Sequence, residues 1–228
     1  MHSDRVIRTP GRLALLAWLI GASAAGAQLT PEWLTRFPVG DSLSAGLTGF
    51  YVEPGGTSYV TANDGDTSDT DITTAAIDSD GTILWTHTFN GPQNGFDQSR
   101  DVTLAVDGTL WVVGNTESPT AHADVLVLGY DAATGVLEHT IQYASQPALS
   151  ESGHLIASDA NGDIYVVGST VGDGTDVMTL KFDSSGQLMW RQTWDGPGSA
   201  PFSLDSVKAV AIDPNGDLYF SAGDPSPN

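Results

Sequence analysis

Four glycines set the rhythm of this chain. Gly56, Gly108, Gly162 and Gly216 stand at spacings of 52, 54 and 54 residues. Three residues after each comes an aromatic: Tyr59, Trp111, Tyr165 and Tyr219. A period of that length means one supersecondary unit built several times, with each copy burying its apolar faces against the next. The stretches around the glycines are YVEPGGTSYVTA, LAVDGTLWVVGN, ASDANGDIYVVGS and AIDPNGDLYFSAG. Each runs from apolar residues through an Asp/Asn/Gly-rich turn into a second apolar run, the pattern of a β-hairpin. The glycine serves the turn position with positive φ, where a Cβ would clash.

A second hairpin alternates with the first. Its copies are TDITTAAIDSDGTILWTHTF, ADVLVLGYDAATGVLEHTIQY and TDVMTLKFDSSGQLMWRQTW, and their leading Asp71, Asp124 and Asp176 lie 53 and 52 residues apart. Trp85, His139 and Trp190 stand four residues after the second turn glycine of each copy. Four strands per unit predict one blade of a β-propeller. VLVL, WVV, IYVV and VKAVAI are apolar on both faces. Such strands suit blades stacked face to face, because a single sandwich would leave one face polar. The expectation is an all-β chain: a β-propeller of four-stranded antiparallel blades, about three and a half of them. The one hint of helix in the mature chain is a short turn at PEWLTRF after Thr30.

HTFNGPQNGFDQSRDVTLAVDGTLWVVGNT joins a strand, an NGP turn, an Asp-containing strand and a Gly-aromatic-Val strand. In that order it resembles the bacterial SBBP-type β-propeller repeat. QTWDGPGSAPFSLDSVKAVAIDPNGDLYFSAG shows the same order; IQYASQPALSESGHLIASDANGDIYVVGS lacks the NGP turn, and His139 replaces Trp. The resemblance covers roughly residues 43–223. It implies an extracytoplasmic binding or scaffold module and carries over no catalytic residue. By analogy with such propellers, the strand that ends in the Asp-Gly turn lies innermost. Blades then span 43–90, 97–144 and 151–195, with a half blade at 203–223 and a tail at 224–228. Three and a half blades do not close an ordinary ring. The preferred expectation is a truncated part of a longer chain; the other is a homodimer sharing one ring.

The first 27 residues read as a signal peptide, followed by a lead-in at 28–42. Arg5, Arg8 and Arg12 make a basic start, LALLAWLI an apolar run too short to anchor, and Ala25-Gly26-Ala27 a cleavage site. The chain is therefore expected to be exported: periplasmic, at the cell surface or secreted, with no membrane insertion. Cleavage removes 3 of 8 basic and 1 of 28 acidic side chains, leaving 5 against 27, a net charge of −22. Such a surface repels nucleic acid and favours cations. With no Cys, disulfides and thiolate metal sites are excluded.

The chemistry-bearing candidates are few. VGDSLSAG, residues 39–46, matches the nucleophile block of a GDSL-type esterase around Ser42. That chemistry needs a His beside the hydroxyl. His87, His122, His139 and His154 stand in no DxxH block, and a propeller lacks the α/β sheet that would present the serine. NDGDTSDTD offers Asp64, Asp66, Asp69 and Asp71, carboxylates that could wrap one calcium ion. The competing reading makes them solvated turn formers. Asp78, Asp80, Asp159, Asp163, Asp213 and Asp217 flank tight turns and read as structural. Asp97 and Asp205, at equivalent positions near the start of the inner strand, are expected to bond backbone N–H groups of a neighbouring blade.

Asp97, Asp124, Asp173 and Asp176 fall in the loops 63–71, 90–98, 115–124, 144–152, 169–176 and 195–204, which converge at the ring mouth as a binding face. Trp85, Trp190 and Trp194 read as packing between blades. The sequence-level expectation is a non-enzymatic binding or structural scaffold, with an unknown protein or glycan ligand and calcium as the one candidate cofactor. The alternative is a hydrolase or lyase at the propeller mouth, using a pair such as His122 with Asp124 or Asp97.

Overall fold

The structure, a computed structural model, describes residues 16–24, 29–38, 46–65, 69–146, 149–171, 175–194 and 207–222. It is all-β. A first hairpin pairs β1 (Leu16–Ala24) with β2 (Leu29–Pro38). The helical turn expected at PEWLTRF is corrected here: those residues lie inside β2, where cross-strand pairing with β1 overrides local propensity.

Three four-stranded antiparallel blades follow. The first contains β3 (Gly46–Val52), β4 (Ser58–Gly65), β5 (Thr70–Ile77) and β6 (Ile83–Phe89). The second contains β7 (Asp97–Leu104), β8 (Thr109–Glu117), β9 (Ala123–Asp131) and β10 (Leu137–Tyr143). The third contains β11 (Ser150–Ser158), β12 (Ile164–Val171), β13 (Thr175–Phe182) and β14 (Leu188–Trp194). A two-stranded sheet, β15 (Ala209–Ile212) with β16 (Leu218–Ser221), stands where a fourth blade begins. Within each blade the strands pair in chain order, so β3, β7 and β11 are edge strands. The chain is a β-propeller with the blade count read from its sequence.

The core lies between blades rather than within one. On β8, alternate side chains serve the two neighbours. Leu110 and Val112 join Tyr59, Ile72 and Ala76 of the first blade, while Trp111 and Val113 join Val166, Leu180 and Phe182 of the third. This is why the central strands are apolar throughout. The outermost strands behave differently. Ile83, Trp85, His87 and Phe89 of β6 are half-buried and Leu84, Thr86 and Thr88 exposed; β10 alternates in the same way. Trp85 crosses to the second blade, stacking on Tyr130 and donating its indole N–H to the Ala132 carbonyl at 2.9 Å. The tryptophan thus packs between blades.

The hairpin turns repeat one device. Asp78, Asp159, Asp183 and Asp213 each accept backbone N–H groups two and four residues ahead, at 2.7–3.1 Å. These bonds hold the exposed Asp183 and Asp213 carboxyls below the usual range, Asp183 first through the Ser185 hydroxyl and Asp213 first through the Asp217 N–H. The turns close on glycines with positive φ, as at Gly162 (φ 84°). Among the described residues no helix is long and apolar enough to cross a membrane.

Candidate functional site

The inner edges of the blades carry a second repeat that the glycine rhythm conceals. Each complete blade has a bulge in its inner strand: between Leu47 and Gly49 in β3, Ser99 and Asp101 in β7, and Gly153 and Leu155 in β11. The inserted residues are Thr48, Arg100 and His154, and Lys208 immediately precedes β15. Their spacings are 52, 54 and 54, the same as those of the turn glycines. Bulges re-aim side chains and recur next to functional sites.

The residues flanking the bulge of β7 are committed to the blade walls. Ser99 turns to the first blade, donating its N–H and hydroxyl to Asn63 Oδ1 at 2.8 Å each and accepting from Asn63 Nδ2 on its own carbonyl at 3.2 Å. Asp101 turns to the third blade, where Oδ2 accepts the Ile156 N–H at 3.0 Å. Burial raises the Asp101 pKa, and its bonds to the N–H groups of Ile156 and Val102 partly offset that. Arg100, between them, is exposed. Thr48 shares a 2.6 Å hydrogen bond with Ser99, and His154 Nε2 lies 3.3 Å from the Ser169 hydroxyl. Thr48, Arg100 and His154 thus take equivalent positions on the edge strands β3, β7 and β11.

The acids singled out in the sequence occupy one end of the blades. Asp97 is 1% exposed, and its Oδ2 accepts the Gly91 N–H at 2.5 Å from the segment that enters its own blade. Burial raises its pKa; Thr116 and Gly91 pull it down, while Glu117 and Asp69 push it up. Asp71 is raised by burial first and then by Asp69, Asp97 and Asp64. Glu151 occupies the position of Asp97 in the third blade: it is fully buried and accepts the N–H and hydroxyl of Ser145. The sequence singled out Asp97 and Asp205 but not Glu151, although all three share a 54-residue spacing.

Asp124 is buried against Gln142, whose amide donates to it at 2.8 Å. Asp176 is half-buried and pairs with Thr170 across the sheet. The inward acids of the expected binding face are therefore largely wall groups. Asp66, Asp173, Asp205 and Ser42 lie outside the described residues. Among the described residues no group of three or more His, Cys, Asp or Glu could hold a metal ion. His122 sits in the turn closed by Ser118, whose carbonyl accepts the Ala121 N–H at 2.9 Å. A cavity of about 520 Å³ lies where β15–β16 meets the face of β13 and β14, lined by Val177, Thr179, Gln192, Thr193, Trp194, Phe220 and Ala222.

No protein-family model matches the chain, and no curated protein matches it. Solved structures with a similar arrangement include a cobalt-substituted Synechocystis apocarotenoid oxygenase, at 12% identity and a TM-score of 0.44. An ACO/RPE65 chimera shows 12% identity and a TM-score of 0.46. Both alignments cover 93% of this chain and 58% of the other. A mutant of the Synechocystis enzyme aligns at 11% identity and a TM-score of 0.44, over 78% of this chain and 50% of its own. This chain thus spans between half and three-fifths of the length of those structures. The expectation of a non-enzymatic scaffold is corrected at this point: the solved structures it resembles are named as an oxygenase and its derivatives. A likeness this distant transfers no activity to this chain.

Proposed function

We propose that this chain supplies blades to an exported, SBBP-type propeller that binds its ligand on the ring axis, along the free edges of β3, β7 and β11. One observation carries the reading: the bulge recurs in every complete blade, yet its inserted residue changes from Thr48 to Arg100 to His154. Positions that build the blade keep their chemistry from copy to copy, as the turn aspartates Asp78, Asp131 and Asp183 do. A position that keeps its geometry but varies its side chain is free to serve recognition. Among the described residues the inner strands also have no pairing partner on their outer edge, which leaves that edge open to a bound molecule. The leader-like residues 1–27 support export.

The test is a fragment screen by amide NMR on the isotopically labelled chain. Hits should move the resonances of Thr48, Arg100, His154 and Lys208 together. Hits confined to β6, β10 and β14, or to the cavity beside Trp194, would place the site elsewhere and end this reading.

A further inference from the structure

We infer that the edge of β16 and the cavity beside it form a docking site for one extended strand of a partner polypeptide. The strand adds antiparallel to β16, with large apolar side chains at three alternate positions turned onto β13 and β14. The inference goes beyond the axial reading above and does not depend on it.

The repeat itself says what fits there. β4, β8 and β12, the second strands of the three complete blades, each pair with a strand on either side. β16 holds the same place in the unit, since Gly216 and Tyr219 repeat the glycine and aromatic of those blades. Among the described residues it pairs only with β15. Val60, Val112 and Val166 are at most 1% exposed, whereas Phe220 at their position is 37% exposed. An apolar strand with such an edge is a template for another strand, held by main-chain hydrogen bonds and selected by alternate side chains.

The cavity lies where the side chains of such a strand would go. In the second blade the third strand, β9, sends Leu126, Leu128 and Tyr130 onto the first blade, among Ile72, Trp85 and Phe89. In the third blade β13 sends Met178, Leu180 and Phe182 onto the second, against Ile141 and Tyr143. On the other face of the third blade Val177, Gln192 and Trp194 take the places of Ile72, His87 and Phe89, and they line the cavity with Phe220. Phe89 and Tyr143 are half-buried, and Trp194 at their position is 50% exposed. A cavity of about 150 Å³ holds one benzene, so about 520 Å³ takes three side chains of that size. The register follows from the complete blades. Leu110, Val112 and Gly114 stand opposite Tyr130, Leu128 and Leu126, and Ile164, Val166 and Gly168 opposite Phe182, Leu180 and Met178. The docked strand therefore sets an aromatic opposite Leu218, a large aliphatic opposite Phe220 and a third apolar residue opposite Ala222. A second copy of β16 does not fit. Two such strands pair antiparallel only about a two-fold axis perpendicular to the sheet, which crowds both third blades onto one face of it.

The test is titration of the isotopically labelled whole chain with the synthetic peptide ADVLVLGYD, a copy of β9. The peptide should shift the amides of β16 saturably and protect them from exchange. A spin label at its C-terminal end should broaden Leu218 more than Ala222, as the antiparallel register requires. The same peptide with Leu126→Lys and Leu128→Lys should bind at least tenfold more weakly, a comparison that leaves the folded chain untouched. In the chain, Phe220→Asp should weaken binding at least tenfold, and Leu84→Asp, exposed on β6, should not. The inference is overturned if the peptide does not bind, if the lysine peptide binds equally well, or if the label broadens Ala222 first. Saturable binding of maltose beside Trp194 without peptide binding would make the cavity a sugar site and overturn it too. So would self-association in sedimentation with the β16 amides already protected, since a second copy would then be the occupant. Peptide shifts along β3, β7 and β11 with β16 unmoved would favour the axial site and end this inference alone.

Discussion

Gly135→Ala tests whether the blades are held together by side chains that reach across, as Trp85 does. A Cβ on Gly135 would sit 2.5, 2.7 and 2.8 Å from three atoms of the Trp85 ring. Backbone strain alone is a small part of the cost. Gly135 has φ 73°, where a non-glycine residue loses roughly 1–2 kcal/mol. A stiffer unfolded chain returns about 0.4–1 kcal/mol of that. The remainder comes from Trp85, which must move. Moving it breaks the 2.9 Å bond to the Ala132 carbonyl, worth about 1 kcal/mol. It also disturbs the stack on Tyr130, whose centroid lies 6.1 Å away, worth about 0.5–1.5 kcal/mol.

The expected destabilisation is therefore roughly 2–4 kcal/mol. In a Trp85→Ala background the ring is gone, and Gly135→Ala should cost no more than about 1.6 kcal/mol. Urea unfolding of the four proteins in this cycle gives the coupling directly. Additivity within about 0.5 kcal/mol would show that the two blades are not locked through this contact, and would refute the packing argument.

Two further outcomes follow from buried titratable groups. Asp97→Asn keeps an acceptor for the Gly91 N–H and removes a carboxylate whose pKa burial has raised. A raised folded pKa means that the native state loses stability as pH rises through it. The variant should therefore melt higher than the unaltered chain at pH 7, with the gap closing below the ordinary Asp value of 3.8; a lower melting temperature at pH 7 would contradict this. His87 has its pKa lowered by burial, with Nδ1 lacking a hydrogen-bond partner and the ring edge-on to Tyr130. Its contribution to stability is full above 6.5 and is lost as pH falls through its folded value; an NMR titration midpoint at or above 6.5 would contradict the burial argument.

The blades were legible because their signals are local. Turn glycines, Asx aspartates and two-sided apolar runs each act within a few residues, and repetition multiplied them. The exchange of Trp85 across the blade boundary was legible in kind, since repeated aromatics at one blade position are packing groups. The helical reading of PEWLTRF failed because pairing with a distant segment decided that backbone. The inward acids were harder to place. Asp97 and Asp124 look alike as loop carboxylates, and only the folded chain shows each taken up by a wall partner, Gly91 for one and Gln142 for the other. Glu151 was missed because its chemistry differs from Asp97, although its register is the same. The row Thr48, Arg100, His154 and Lys208 was present in the sequence at the glycine spacing. No shared residue type marked it.

The chain's own letters determined the unit, its four-strand order and the number of copies, since periodicity and turn chemistry need no knowledge of distant contacts. Which polar groups are wall and which are free was decided only in three dimensions. A bulge exists when a strand and its partner disagree in length by one residue, and that disagreement is a property of the pair. Arg100 is left exposed between them for that reason, with Ser99 drawn to one blade and Asp101 to the other.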